Sequence, residues 1–466
     1  MYKVIDTNIV LLDAQNIIEL GKDGSTIIIP EIVVDELDSK KSQLSELGYQ
    51  ARQFGRIMSE ADVVVVHGTN LDGEGPPNIT EVVCLVKDIK VTIVSKKEYR
   101  TPPETDSSIY NDRKIIEVAV DMSEKYGKDN VLFISNDVMC RTRALAEGLV
   151  VDMFSVVEAD DYEFNKVVYI DDPELFRTAN NRSITELDPD YKRSNHNYTL
   201  HCSTTGSHKL GIIVNGKFNV LSKEYEAELG RQNVAPINSG QKFLSMAIQE
   251  SMIDIVVVDA TSGSGKTLVA LSNAMRLLDT KPYTGIMYVR NSVQDLEKNE
   301  ELGFLKGDMT DKTGVFFTPL QDVLYFMAKN KLSQSKLKGK DLEDAIQEKM
   351  ESLTAHYRIE SLITLGMRGR TFTDKVIIID ECQSLSASAM QKVLTRVGKN
   401  CKVIIIGSQN QIDNSYLTRH TNGLAVLLDA CTRYIDTSVV MHPVELSKTV
   451  RSPLTELAEQ LFTAHK

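Results

Sequence analysis

At 466 residues the chain is too long for a single hydrophobic core and calls for two or three domains. Its 42% apolar and 25% charged residues are the composition of a globular protein, and no apolar run approaches the roughly 18 residues of a membrane span. A formal net charge of −12 excludes indiscriminate coating of DNA, which depends on phosphate contacts, but leaves room for nucleic acid in a local basic channel or held through metal ions.

From Tyr2 to about Ser155 the runs YKVI, STIIIP, ADVVVVH, KVTIVS, VLFIS and LVVDMF alternate with helical stretches, the longest from Asn111 to Lys125. That alternation predicts a mostly parallel sheet covered by helices, an α/β/α domain over residues 1–155. Residues 156–229 differ, being rich in Asp, Asn, Ser and Tyr, with two alternating runs, YTLHCST and LGIIVNGKFNVL. The second holds Asn215-Gly216, a strong hairpin signal, so a small β-rich module is expected there. A second α/β pattern fills residues 230–466, with strands DIVVVDA, TGIMYVR, KVIIID and KVIIIG. Within it, Lys329 to Met350 reads as a charged helical insertion; Lys331, Lys336, Lys338 and Lys340 make a solvated face or a nucleic-acid contact.

The six cysteines are scattered, form no CxxC or Cys/His cluster, and read as reduced core residues without zinc. The opening MYKVIDTN offers neither a secretory apolar region nor a transit peptide, so a cytoplasmic location is expected.

Four acids of the first half fall where a metal site can be built. Asp6 ends the first strand, Glu36 lies in the helix begun after STIIIP, Asp112 opens the helix NDRKIIEVAV, and Asp137 follows VLFIS. A parallel sheet opens its strand carboxyl ends on one edge, and acids converging there repel one another unless cations neutralise them. Oxygen-only ligands suit Mg²⁺ or Mn²⁺, which activate water and stabilise the leaving oxygen of a phosphodiester. Each acid alone serves equally as a helix or turn cap, and Asp35 competes with Glu36 for the ligand role. With Asp6-Thr7-Asn8, Glu36 in DELD, Asp112 in D-x-x-I and Ser135-Asn136-Asp137, this half resembles the PIN-domain family of metal-dependent ribonucleases. The resemblance implies an active site at Asp6, Glu36, Asp112 and Asp137, with Arg141 meeting RNA phosphate.

In the second half, ATSGSGKT places Gly263, Ser264, Gly265, Lys266 and Thr267 between a strand and a helix. Backbone amides there surround phosphates, Lys266 reaches the β and γ groups of ATP, and Thr267 offers its hydroxyl to Mg²⁺. KVIIIDECQ supplies Asp380 to hold Mg²⁺ and Glu381 to orient the attacking water. Gln411, at the end of KVIIIGSQNQ, is placed to sense the γ-phosphate, and Arg451 is a candidate arginine finger.

With Gln241 ahead of the loop, then GSGKT, ELGFLKGDMTDK, MRGRTFTD, IIIDECQ, LTRVG, QNQID and VRSPL, this half resembles the PhoH-type ATPases, relatives of superfamily 1 helicases. A RecA-like P-loop ATPase domain is therefore implied. Four positions depart from the pattern: Ala260 for the loop's first glycine, Lys306 and Asn291 for prolines, and Ser408 for an aspartate. The whole chain is similar to the PIN–PhoH fusion family. That implies RNA unwinding by an ATP-dependent helicase coupled to endoribonuclease cleavage; a DNA nuclease with an ATPase, or an ATP-regulated RNA-binding protein with an inert nuclease, are the alternatives. A single GSGKT and a single DECQ leave one wall of the nucleotide site to a neighbour, so a homo-oligomeric ring, a hexamer by resemblance, is expected, with Arg451 acting in trans.

Overall fold

The structure, a computed structural model, describes residues 1–43, 46–69, 79–96, 107–154, 162–230, 234–291, 317–333, 335–367, 369–412, 417–433, 438–450 and 457. The chain divides into two compact units, one of Met1–Val156 and the short stretch Ser415–Thr421, the other of Val157–Asn414 and Asn422–Lys466.

The first unit runs β1 (Tyr2–Ile5), α1 (Thr7–Leu12), α2 (Asn16–Gly21), β2 (Thr26–Pro30), α3 (Glu31–Lys40), α4 (Glu46–Ser59), β3 (Asp62–Thr69), β4 (Ile79–Val86), β5 (Ile89–Lys96), α5 (Ser107–Tyr126), β6 (Val131–Ile134), α6 (Val138–Ala146) and β7 (Val150–Asp152). These strands form one sheet in the order β3-β4-β5-β2-β1-β6-β7. Pairing is parallel from β5 through β2, β1 and β6 to β7, as the alternation predicts. The central runs are buried on both faces, which is why they read as unbroken Val/Ile. ADVVVVH is different: β3 is the outer strand of an antiparallel β3-β4-β5 meander, with Val63 64% and Val66 60% exposed.

The second unit begins with β8 (Asn165–Ile170), α7 (Pro173–Arg177), α8 (Ile184–Leu187), β9 (Asn197–Cys202), β10 (His208–Val214) and β11 (Lys217–Val220). They build a four-stranded sheet, β11-β10-β9-β8. Asn215 (φ +49°) and Gly216 (φ +72°) turn β10 into β11 with Val214 opposite Lys217; two consecutive positive φ angles are what a two-residue hairpin of the sheet's own twist requires.

Then come α9 (Lys223–Gly230), α10 (Ser239–Gln249), β12 (Ile255–Ala260), α11 (Lys266–Thr280), β13 (Ile286–Arg290), β14 (Ile359–Ile363), β15 (Val376–Asp380), β16 (Lys402–Gly407) and β17 (Met441–Leu446). The last six strands form an all-parallel sheet, β14-β13-β15-β16-β12-β17, with apolar cores on both faces. The predicted charged insertion is two helices rather than one, Thr318–Lys331 and Lys340–His356, broken before Gly339 (φ +57°); its four lysines are exposed. Among the described residues no helix is long and apolar enough to cross a membrane.

Candidate functional site

In the first unit the parallel ends of β1 and β6 bring Asp6 and Ser135 together. Asp6 caps α1, its Oδ1 accepting from Thr7 N at 2.6 Å, while Oδ2 accepts from Ser135 Oγ and Asn8 Nδ2, both at 2.6 Å. It is 5% exposed. Burial pushes its carboxyl up to about 7, the nearby charges of Asp112 and Glu36 push the same way, and the Ser135 and Thr7 bonds oppose them. Glu36, from α3, accepts from Thr7 Oγ1 and from Asn111 Nδ2 at 2.6 Å. Asp112, from α5, is paired with Arg143 Nη1 at 2.6 Å; burial and then the Asp137 charge raise it. Asp137 caps α6, accepting from Met139 N at 2.7 Å and Cys140 N at 3.2 Å. Asp35 interacts with Glu31 and Asp38 on its own helix, not with this group.

The four predicted acids thus occupy one electrostatic neighbourhood. As the side chains stand, among the described residues no three His, Cys, Asp or Glu groups form a metal-ligating cluster, because the carboxylates hold hydrogen bonds from Ser135, Thr7, Asn8, Asn111 and Arg143. The donor set still fits a hard divalent cation. It is all oxygen, and Asp6, whose carboxyl is raised by burial and then by like charges, is a group that a cation would ionise. Arg141, expected to meet phosphate, donates Nη1 to the Ser135 carbonyl at 2.6 Å. Arg143 and Asn111, which the sequence reading missed, bind the acids instead; neither lies in a motif, and their only signal is position on the helices that carry Asp112 and Asp137.

In the second unit β12 leads into the loop and α11. Gly263 (φ +67°) and Gly265 (φ +79°) take the left-handed conformations that favour glycine. Ala260 takes none: it is the last residue of β12, paired with Leu446, so the alanine costs the loop nothing. Gln241 is 4% exposed and braces the turn, Nε2 donating to the Ser264 carbonyl at 2.8 Å and Oε1 accepting from Ile237 N at 2.9 Å. Opposite, Asp380 Oδ2 accepts from Thr267 Oγ1 at 3.0 Å and from Tyr288 OH at 2.6 Å. Burial and the Asp380 charge push the Tyr288 phenol far up, keeping it a donor. Lys266 Nζ stands 3.8 Å from Glu381 Oε1, and Glu381 has φ +57°.

Gln383, the last residue of DECQ, to which the motif assigned no role, is a hub. Its Nε2 donates to Glu381 Oε2 at 2.7 Å and to the Gln411 carbonyl at 2.9 Å, and its Oε1 accepts from Ser408 N at 3.1 Å. Gln411 is thereby tied to Glu381. Asn291, where a proline is usual, donates to the Ser384 carbonyl at 3.0 Å. Ser264 Oγ and Ser408 Oγ are buried with no hydrogen-bond partner among the described residues, polar atoms consistent with a missing polar ligand. Together with Lys266, Thr267 and Asp380 they fit a nucleotide phosphate with its Mg²⁺. Arg451, Lys306 and most of ELGFLKGDMTDK's surroundings lie outside the described residues, as do all twelve residues of that motif.

Fold and sites define a nuclease-type α/β domain joined to a P-loop ATPase-like domain. Residues 3–154 match the PIN domain family and residues 233–463 match the PhoH-like protein family. The chain is 28% identical to Protein PhoH2 of Bacillus subtilis, over 98% of this chain and 99% of that one, and 25% identical to Protein PhoH2 of Thermobispora bispora, over 98% and 96%. A PhoH-like protein of Mycobacterium leprae is 34% identical over 39% of this chain and 46% of its own length. The chain belongs to the PIN–PhoH fusion family.

Proposed function

We propose that this chain is an ATP-dependent RNA helicase coupled to an endoribonuclease that cuts the freed single strand with Mg²⁺ or Mn²⁺. What carries the reading is the presence on one chain of a buried Asp6 among like charges and of Lys266-Thr267 set against Asp380-Glu381. In the ATPase, Lys266 would bind the β and γ phosphates, Thr267 and Asp380 would hold Mg²⁺, and Glu381, steadied by Gln383, would orient water for attack. In the nuclease, Asp6, Glu36, Asp112 and Asp137 would hold the divalent ions, which supply an activated water and a counter-charge for the leaving oxygen. Asn8 and Ser135 orient Asp6, and Thr7 orients Glu36. The working division is a nuclease over residues 1–155, a β module over 156–229 and the ATPase over 230–466. One phosphate loop per chain supports a ring in which each subunit completes its neighbour's site, with Arg451 as the finger, and the resemblance to the fusion family makes that ring a hexamer.

The test uses end-labelled RNA and DNA, single-stranded and duplex, with Mg²⁺ or Mn²⁺ and with or without ATP. Metal-dependent cutting of RNA, extended into duplex regions only with ATP, is the expected result. Cutting of DNA alone makes the chain a DNA nuclease, and RNA-stimulated ATPase without any cutting makes its nuclease inert.

A further inference from the structure

The four-stranded sheet has two unlike faces. One is sealed by α7 and α8 over Ile170, Tyr198, Leu200 and Phe218. The opposite face is covered at one end only. There Asn165, Asn197 and Ile212 stand in register, Ile212 packs into the core beside α10, and Asn165 and Asn197 donate to the Glu445 and Pro443 carbonyls at 3.2 and 3.0 Å. Two residues further along each strand come Val167, Thr199 and Leu210, with Val167 already 53% exposed. Two residues further again, at the uncovered end, Tyr169, His201 and His208 form a row across β8, β9 and β10. Their rings follow one another at 5.3 Å and 23° between Tyr169 and His201, and at 6.0 Å and 37° between His201 and His208. Tyr169 is 71% exposed.

We propose that this row is a stacking platform for the bases of single-stranded nucleic acid. The chemistry of the face selects that ligand. None of the nine positions in the three rows is Lys or Arg, and Asp171 and Asp172 follow β8 at the rim, so the row makes no phosphate contact and grips a strand through its bases alone. What the face offers is π surface beside a valine, which matches the flat, neutral face of a base and tolerates any sequence. Tyr169, the end ring, stands open to solvent, where a base can reach it. The platform is also continuous with the motor. Pro443 and Glu445 belong to β17, which pairs along β12, the strand that feeds the phosphate loop. A strand stacked on Tyr169 is therefore held by the same compact unit that carries the phosphate loop. The proposal rests on the nucleic-acid reading above and adds where the strand is gripped.

The test is binding of fluorescein-labelled and 2-aminopurine-containing oligonucleotides, RNA and DNA, to the full chain with EDTA present to stop cleavage. Wild type should bind single strands and quench 2-aminopurine. Tyr169→Ala should bind about ten-fold more weakly, with quenching lost and the salt dependence of affinity unchanged, because no phosphate contact is removed. Tyr169→Phe should restore both signals, and His208→Ala, at the other end of the row, should give a smaller loss; thermal melting checks that each variant folds. Wild-type binding with Tyr169→Ala and His208→Ala indistinguishable from it overturns the platform and leaves the nuclease and helicase reading intact. A wild type that binds no oligonucleotide overturns that reading itself, and the platform with it.

Discussion

At the end of β1 a buried aspartate faces other carboxylates; at the end of β12 a lysine opens a helix beside an aspartate and a glutamate. Both places are carboxyl edges of parallel strands, but their charge is balanced differently. The acids of the first unit are satisfied largely by neutral donors, Ser135, Thr7, Asn8 and Asn111, with Arg143 paired to Asp112, and burial first, then the charges of Asp112 and Glu36, raises Asp6. The second site carries its own cation, loosely paired at 3.8 Å, and a loop whose buried Ser264 hydroxyl has no partner among the described residues. The same strand geometry thus gathers mostly carboxylates in one unit and sets a lysine and a hydroxyl against two carboxylates in the other.

The largest expected effect separates holding the nucleotide from hydrolysing it. Glu381→Gln keeps Lys266 and Thr267, so ATP affinity should change little while turnover falls by about 10² to 10⁴. Loss of ATP binding in equilibrium titration would mean that Glu381 shapes the site instead. Next, Asp6→Ala should lower RNA cleavage by at least about 10²-fold and leave ATPase within two-fold, a split that measures the independence of the two sites. The variant loses the α1 cap as well, worth about 1 kcal/mol, so its melting curve must accompany the rate. A smaller effect is expected at the brace of the loop. Gln241→Ala strands the Ser264 carbonyl and the Ile237 amide and should weaken ATP binding about five- to thirty-fold, with hydrolysis of bound ATP little changed.

What the sequence revealed of this comparison follows from burial. The central strands β12, β13, β15 and β16 are apolar runs enclosed on both faces and are legible as such. The two edges were missed: β14 carries polar Glu360 and Ser361 where β13 and β15, of the same length, are apolar, and β17 carries Pro443, which an interior strand would exclude but an edge tolerates. β8, an edge of the four-stranded sheet, escaped for the same reason; β4 escaped although it is an interior strand with the mostly apolar run ITEVVCLV. Of the sites, the acids and the loop were legible because their residue types are chemically constrained. The roles of Tyr288, Arg143 and Asn111, and that of Gln383 within DECQ, were not, since they act through distances that only folding creates.

The smallest effect contrasts the two units through pH. In the metal-free chain, the folded Asp6 titrates near 7 and the unfolded one near 3.8. Between those values the folded state holds more protons, so the first unit gains stability as pH falls and loses it as pH rises through 7. In the second unit His442 is 1% exposed. Asn197 spends its amide hydrogens on the Phe164 and Pro443 carbonyls, so its Oδ1 must accept from His442 Nε2 at 2.9 Å, which fixes the neutral tautomer. Burial, with the charges of His196 and Lys402, holds His442 well below 6.5. Here the unfolded state takes the proton first, so stability present above pH 6.5 is lost on acidification, at about 1 kcal/mol by pH 5.5. Amide-exchange protection, corrected for intrinsic rates and measured with EDTA at pH 7.5 and 5.5, should rise in β1 and β6 and fall in β9 and β17. Asp6→Asn should remove the first trend and His442→Gln the second. Parallel changes in both units would mean that global charge, not these two buried groups, governs the response.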